Sequence, residues 1–351
     1  MKRKLIFGLI GCGEIAVQTA KGIAQSSNSE IGIVQDVNEE IAKDLADKYG
    51  VPYCLTWDEL LGHRELDAVY IATPHYLHAG AAVAAAAAGK HVLVEKPIAT
   101  TLADADRMIA AAEKAGVALS VAFALRYTDR SRKVKEIIDG GALGKIVGID
   151  FGEYTYKPES YWTSGWTGRV QTDWRASKEK SGGGILLMNY VHTVDFMRLA
   201  TGLDVVSVAA NYDTFKTKVE VEDYIVVIMR LSNGAIGVAR GATIVEGKVF
   251  PGGVEGDRII GTDGQLFITR ETIHLYVAKP YKEYEAGKWH SIPTAEPWGG
   301  RAELIREFSK AVLAGKKPPV AALDGRKALE VCLAAYKSGA TGQFVRLPMK
   351  E

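Results

Sequence analysis

The amino-acid sequence predicts an α/β chain in two parts: an N-terminal doubly wound parallel sheet, and a C-terminal α+β domain built on a large, mostly antiparallel open sheet. Three observations carry that expectation. At 351 residues the chain exceeds what one hydrophobic core usually supports, so two domains are expected. Up to about residue 120, short β-branched runs alternate with longer helical ones, the pattern of βαβ units around a parallel sheet. Past residue 140 the pattern changes to strands separated by tight turns. The expected division is residues 1–123 and residues 124–351.

In the first part, Lys4 to Ile10 reads as a strand, Glu14 to Gln25 as a helix, Ile31 to Val37 as a second strand, and Glu39 to Tyr49 as a helix closed by Gly50 and Pro52. Ala68 to Ala72 is a buried strand ending at Thr73-Pro74, Leu77 to Ala88 an alanine-rich helix, and His91 to Val94 the next strand. Leu102 to Ala115 is a helix stopped by Gly116, and Ala118 to Phe123 a strand. In the second part, strands are expected at Lys145 to Tyr156, Val205 to Tyr212, Tyr224 to Leu231, Ala235 to Thr243, Gln265 to Thr269 and Ile273 to Val277. Asn233-Gly234 turns a hairpin between two of them. One helix, Ile185 to Thr201, interrupts the strands, and the tail returns to helix at Arg301 to Leu313 and Gly325 to Gly339, free to pack back against the first domain.

Lys plus Arg number 43 against 42 Asp plus Glu, a balance that gives no strong field to draw in nucleic acid or an anionic membrane. No stretch approaches a membrane span, since the alanine-rich run Ala79 to Ala88 stops at Gly89-Lys90. Cys12, Cys54 and Cys332 are far apart and in no metal-like spacing, so three free thiols in a reducing compartment are expected. Lys2-Arg3-Lys4 before Leu5 to Gly11 has the outline of a secretory signal, and Leu9-Ile10-Gly11-Cys12 that of a lipoprotein cleavage box. The apolar stretch is short for a signal, however, and runs straight into a glycine turn that accounts for it, so an intact N-terminus and a cytoplasmic location are expected.

That turn, Gly11-Cys12-Gly13-Glu14-Ile15-Ala16, joins the first strand to the first helix. Glycine there lets the backbone approach a pyrophosphate while the helix N-terminus faces its charge. Ala16 takes the place of the third glycine, and Asp36, at the end of the second strand, stands where an acid accepts the adenosine ribose hydroxyls. A Rossmann dinucleotide site is therefore expected, with Gly11, Cys12, Gly13, Glu14, Ile15 and Asp36 in it. Because a carboxylate repels a 2′-phosphate and no arginine or lysine immediately follows Asp36-Val37-Asn38, NAD is favoured over NADP. Asp36 also suits a cap for the next helix.

The run Glu95-Lys96-Pro97, taken with Gly11-Cys12-Gly13 and Thr73-Pro74-His75-Tyr76-Leu77-His78, resembles the glucose–fructose oxidoreductase and inositol dehydrogenase family (GFO/IDH/MocA), over essentially the whole chain. The resemblance implies that Lys96 lies beside the nicotinamide and the substrate hydroxyl, with Pro97 often in a strained or cis arrangement. It also implies cofactor contacts at Thr73, Pro74, His78, Glu95, Trp174 and Arg175. Trp174-Arg175, Gly182-Gly183-Gly184 and His192 are similar to the family's WR…GGGxxxDxGxH stretch, with His192 on the family's histidine. The family's aspartate is Met188 here, and the glycine after it is Tyr190. Asn189 lies one turn before His192 and Asp195 one turn after it, so either is placed to share its face. His63, His91, His274 and His290 have no ligand-like spacing, and no metal is expected.

Hydride transfer at an alcohol carbon needs a base for the hydroxyl proton. The resemblance supplies two candidates: His192 as proton acceptor or donor and Lys96 polarising the oxygen, roles that are also open to exchange. It implies a secondary alcohol or ketone of a sugar, glycoside or cyclitol as the small-molecule substrate. The aromatic stretch Tyr154, Tyr156, Tyr161, Trp162 and Trp166 suits a sugar face, an oligomer contact or a loop core, and Tyr161, Asn189 and Asp195 are the substrate-binding candidates. A homodimer or homotetramer is expected from the open sheet face. Two other readings stand beside this one: a redox-neutral, NAD-dependent glycosidase, and a non-catalytic NAD-binding regulator on the same fold.

Overall fold

The computed structural model describes residues 3–247, 256–295 and 299–349. The chain forms two compact units: Met1–Ala124, Glu159–Gly183 and Gly300–Leu329 make the first, and Leu125–Pro158, Gly184–Gly299 and Glu330–Glu351 the second. Residues 159–183 and 300–329 group with residues 1–124 in the first unit.

The first unit is built on a parallel sheet of β1 (Leu5–Ile10), β2 (Ser29–Gln35), β3 (Tyr53–Cys54), β4 (Ala68–Ile71), β5 (His91–Val94) and β6 (Leu119–Val121), in the order β3-β2-β1-β4-β5-β6. This is the doubly wound Rossmann order. Its helices are α1 (Glu14–Gln25), α2 (Glu39–Tyr49), α3 (Trp57–Gly62), α4 (His78–Ala87) and α5 (Leu102–Ala115). Their ends follow local chemistry: Asn38 caps α2 by accepting from the Glu40 N–H, and left-handed Gly50 ends it. Thr101 and Gly116 do the same for α5. The sequence reading missed α3, whose capping box of Thr56 and Glu59 marks its start.

The second unit begins with α6 (Asp129–Asp139) and carries a sheet of β7 (Ile146–Tyr154), β8 (Val205–Asp213), β9 (Tyr224–Leu231), β10 (Ile236–Ala242), β11 (Asp257–Gly261), β12 (Gly264–Ile268), β13 (Thr272–Val277), β14 (Trp289–Pro293) and β15 (Val345–Arg346). The order is β14-β13-β12-β11-β7-β10-β9-β8-β15. All neighbours run antiparallel except β7 and β10, which are parallel. Strand residues alternate between buried and exposed, as in β9 and β10, so one face packs inward and the other shows Tyr224, Ile228, Ile236, Ile260 and Trp289.

The expected single helix over 185–201 is instead a π-helical turn, Leu186–Tyr190, running into α7 (Val191–Thr201). Tertiary contacts explain the change. The buried Glu222 carboxylate accepts the Gly184 and Leu186 N–H groups at 2.8 and 2.9 Å, holding the start of the turn. At its end Tyr190 is wedged into the sheet: its hydroxyl donates to the Arg240 carbonyl and accepts the Glu153 N–H at 2.6 Å. Gly241 makes room for that ring, since a Cβ there would lie 2.6 Å from Tyr190 Cε2. One extra residue per turn is how a helix absorbs such a demand, and π-turns recur at functional sites.

Two helices precede the last strand, α8 (Arg301–Leu313) and α9 (Ala322–Thr341). The first packs on the Rossmann sheet, with Phe308 against Phe7 at 5.9 Å between ring centroids and Ile305 against Gly22 of α1. The expected Gly325-to-Gly339 helix is longer at both ends because those glycines are contact points rather than terminators: a Cβ at Gly325 would meet Val121, and one at Gly339 would meet Tyr212. No described helix is long and apolar enough to cross a membrane.

Candidate active site

β1 delivers the glycine turn. Gly11 donates to the Gln35 carbonyl of β2, and Ala72 donates to Ile10, so neighbouring strands fix both sides of the turn at 2.8 Å. Gly11 has φ +91°, and a Cβ there would stand 2.8 Å from the Ala72 carbonyl, so only glycine is accommodated. Gly13 faces open space and caps α1 with no side-chain bond, leaving the first-turn N–H groups of the helix for a ligand. Asp36, just past the end of β2, accepts the Cys12 N–H at 2.8 Å and the Asn38 N–H at 2.9 Å, which locks the carboxylate beside the turn. Val37 next to it is 85% exposed. The Thr73 hydroxyl, at the end of β4, is buried with no partner among the described residues. Open backbone donors, a fixed carboxylate and an unsatisfied hydroxyl fit a dinucleotide.

The segment 159–183 wraps this turn. Glu14 accepts from the Thr167 N–H and, at 3.3 Å, from Arg175, so its carboxylate holds the segment while its backbone stays at the helix N-terminus. The Arg175 guanidinium lies 4.7 Å from the Trp174 ring centroid and 5.4 Å from that of Tyr161. Tyr161 is buried, edge-to-face with Trp162 at 5.3 Å and tilted against Trp166 at 4.8 Å between ring centroids. Arg169, which the sequence reading did not single out, donates through Nε to the Cys12 carbonyl at 2.9 Å, through Nη1 to Asp44 at 2.6 Å and through Nη2 to the Ile41 carbonyl at 3.2 Å. His75 meets the Ser181 carbonyl at 2.8 Å and the Trp174 ring at 4.5 Å, and burial, then neighbouring His78, holds it neutral, well below the ordinary histidine range.

β5 ends in Glu95-Lys96-Pro97, and the Lys96–Pro97 bond is cis, the arrangement the resemblance implies. Glu95 is buried and fixed. Its Oε1 accepts from Tyr70 at 2.5 Å and from Arg301 of α8 at 2.6 Å, while Oε2 accepts the Lys96 N–H at 3.2 Å. Burial by itself would raise this carboxyl, but the Arg301 guanidinium, the Lys96 ammonium and the Tyr70 hydroxyl together hold it down to about 2. The His78 ring lies between the carbonyls of Pro97 and Thr73, its Nδ1 2.8 Å from the first and its Nε2 3.1 Å from the second, and the neutral ring donates to one of them. Burial, the largest influence, lowers its pKa. Lys96 is thus carried on a loop fixed by Glu95 and His78.

In the second unit, His192 follows the π-turn in the first turn of α7. The buried Met188 carries no proton, and next to it Asn189 accepts from the Lys157 ammonium at 2.9 Å and donates to the Glu153 carboxylate at 2.6 Å. Lys157 is itself buried. Where the family places one aspartate, this chain therefore has a thioether beside a Lys–Asn–Glu cluster. Asp195 is buried and paired with Arg126 through two hydrogen bonds, one of 2.8 Å from Nε. Neither Lys157, Glu153 nor Arg126 was legible as a site residue, because each is brought in by tertiary pairing.

This fold and this glycine turn define an NAD-binding Rossmann oxidoreductase. Family models agree. Residues 5–123 match the oxidoreductase family with NAD-binding Rossmann fold, and residues 131–267 match the GFO/IDH/MocA C-terminal domain. The chain belongs to the GFO/IDH/MocA family. It is 29% identical over 343 residues to the 1,5-anhydro-D-fructose reductase of Ensifer adhaerens, spanning 97% of this chain and 98% of that one. It is 28% identical over 350 residues to the myo-inositol 2-dehydrogenase of Thermotoga maritima, again spanning 97% and 98%. Among solved structures, the WlbA dehydrogenase of Bordetella pertussis in complex with NADH and UDP-GlcNAcA superposes with TM-score 0.83 at 26% identity, covering 99% of this chain and 100% of that one. The chain is an NAD(P)-dependent dehydrogenase or reductase acting on CH–OH groups.

Proposed function

We propose that the chain interconverts a secondary alcohol and a ketone on a sugar, glycoside or cyclitol, with Lys96 and His192 acting on the reacting oxygen. The observation that carries this reading is the Glu95-Lys96-Pro97 loop, rigidly held after β5 by Tyr70, Arg301 and His78. Such fixing keeps a charged group oriented without reorganisation during the reaction. When bound, NAD supplies the hydride acceptor or donor. The protein's own work is on the proton: His192 takes it from the hydroxyl or returns it, and the Lys96 ammonium stabilises charge on the oxygen. Met188 cannot share in this, so the polar support of His192 falls to neighbours on its own helix, of which Asn189 is bonded to both Lys157 and Glu153.

Asn189→Ala is expected to lower kcat about tenfold with a smaller change in NAD affinity, because it removes the link between Lys157 and Glu153 beside His192. Steady-state kinetics with nucleotide titration checks this; unchanged kcat would take Asn189 out of the mechanism. Wild-type protein is expected to bind NADH more tightly than NADPH, and Asp36→Ala to narrow the difference. Calorimetric titration with both nucleotides decides it, equal or tighter NADPH binding by wild type being the contrary result. The exposed apolar face of the second unit's sheet, with Ile228, Ile236, Ile260 and Trp289, suits a second copy of the chain in a homodimer or homotetramer. A cytoplasmic location completes the reading, consistent with three free cysteines.

A further inference from the structure

We propose that Arg169 is a cofactor-specificity residue, the cationic half of a pair with Asp36 that decides between a ribose hydroxyl and a ribose phosphate. The proposal rests on the NAD site described above. Both side chains fasten to the same residue of the glycine turn from opposite sides of its backbone: Asp36 accepts the Cys12 N–H, and Arg169 Nε donates to the Cys12 carbonyl. Their charges act in opposite senses on the Cys12 thiol, which burial raises, Asp36 raises further and Arg169 lowers.

The guanidinium is also anchored to α2, the helix that follows Asp36, through the Ile41 carbonyl and the Asp44 carboxylate. It therefore spans the gap between the glycine turn and α2. Of its five N–H donors, three are engaged with described residues, which leaves two for a ligand. Asp44 is 63% exposed, so that bond is the easiest to exchange for another anion. Arginine with spare donors beside the ribose is the usual receptor for a 2′-phosphate, whereas an acid there selects the free hydroxyl. This chain holds both. The acid governs while it is present, and the arginine becomes a phosphate receptor once the acid is removed. The signal is invisible locally, because Arg169 lies 157 residues from Cys12.

The test is a set of four proteins, wild type, Asp36→Ala, Arg169→Gln and the double variant, titrated with NADH and NADPH by cofactor fluorescence at two salt concentrations. Asp36→Ala is expected to gain about tenfold in NADPH affinity, with binding that weakens as salt rises. That gain should vanish in the double variant and return when Arg169→Lys replaces Arg169→Gln. Arg169→Gln alone should change NADH affinity only a few-fold, with a single cooperative melting transition as the check on folding. A double variant that keeps the full NADPH gain overturns the proposal, as does an Asp36→Ala protein that still binds NADH but gains nothing for NADPH. Wild type failing to prefer NADH would instead overturn the NAD reading itself, and is seen in a separate arm.

Discussion

Replacing His192 or Lys96 by alanine is expected to lower kcat about 100-fold to 10,000-fold while leaving the Kd for NAD nearly unchanged, the range typical of proton-transfer groups. The separation of the two effects follows from their proposed roles. A group that acts on the oxygen mainly in the transition state contributes little to holding the dinucleotide, a task the proposal gives to the glycine turn, the α1 N-terminus and Asp36. Steady-state kinetics and nucleotide titration on the same preparations separate these outcomes. If both variants kept near-normal turnover, the mechanism would be wrong and an NAD-binding regulator would become the better reading.

Glu95→Gln is expected to cost about 3–5 kcal/mol of stability, because it leaves the Arg301 guanidinium buried without its counter-charge. The pH dependence has a definite sign. The carboxyl ordinarily titrates near 4.5 and is held at about 2 in the folded protein, so its contribution is fully present above about pH 5 and is lost as pH falls towards 2. Urea unfolding midpoints measured from pH 7 down to pH 3 should fall steeply for wild type and less for Glu95→Gln. The double variant Glu95→Gln with Arg301→Met should recover part of the loss, since the isolated charge is then gone. Equal slopes in wild type and Glu95→Gln would show that the carboxylate is not held in this way.

What the sequence discloses about this protein is what local chemistry decides. The bounds of α2 and α5 follow from side-chain caps and glycine stops within a few residues, and they were readable to the residue. The glycine turn, Asp36, and the Glu95-Lys96-Pro97 loop were readable because spacing after a strand carries their meaning. The π-turn was not, because it answers to Glu222 and Arg240, more than thirty residues away along the chain. Arg301 under Glu95 is 206 residues distant, and Lys157 against Asn189 is 32. No periodicity or motif marks such partners. Short strands such as β3 and β15, two residues each, are too brief to show a period at all.

The central claim is that the chain moves a hydride between NAD and a carbohydrate or cyclitol CH–OH group, and a single measurement addresses it directly. Purified protein with NAD is scanned against sugars, glycosides and inositols for NADH absorbance, with released aglycone followed in parallel. The account predicts stoichiometric NADH formation with at least one polyhydroxylated substrate and none with NAD alone. Cleavage of a glycoside with no net NADH would contradict it in favour of a redox-neutral glycosidase.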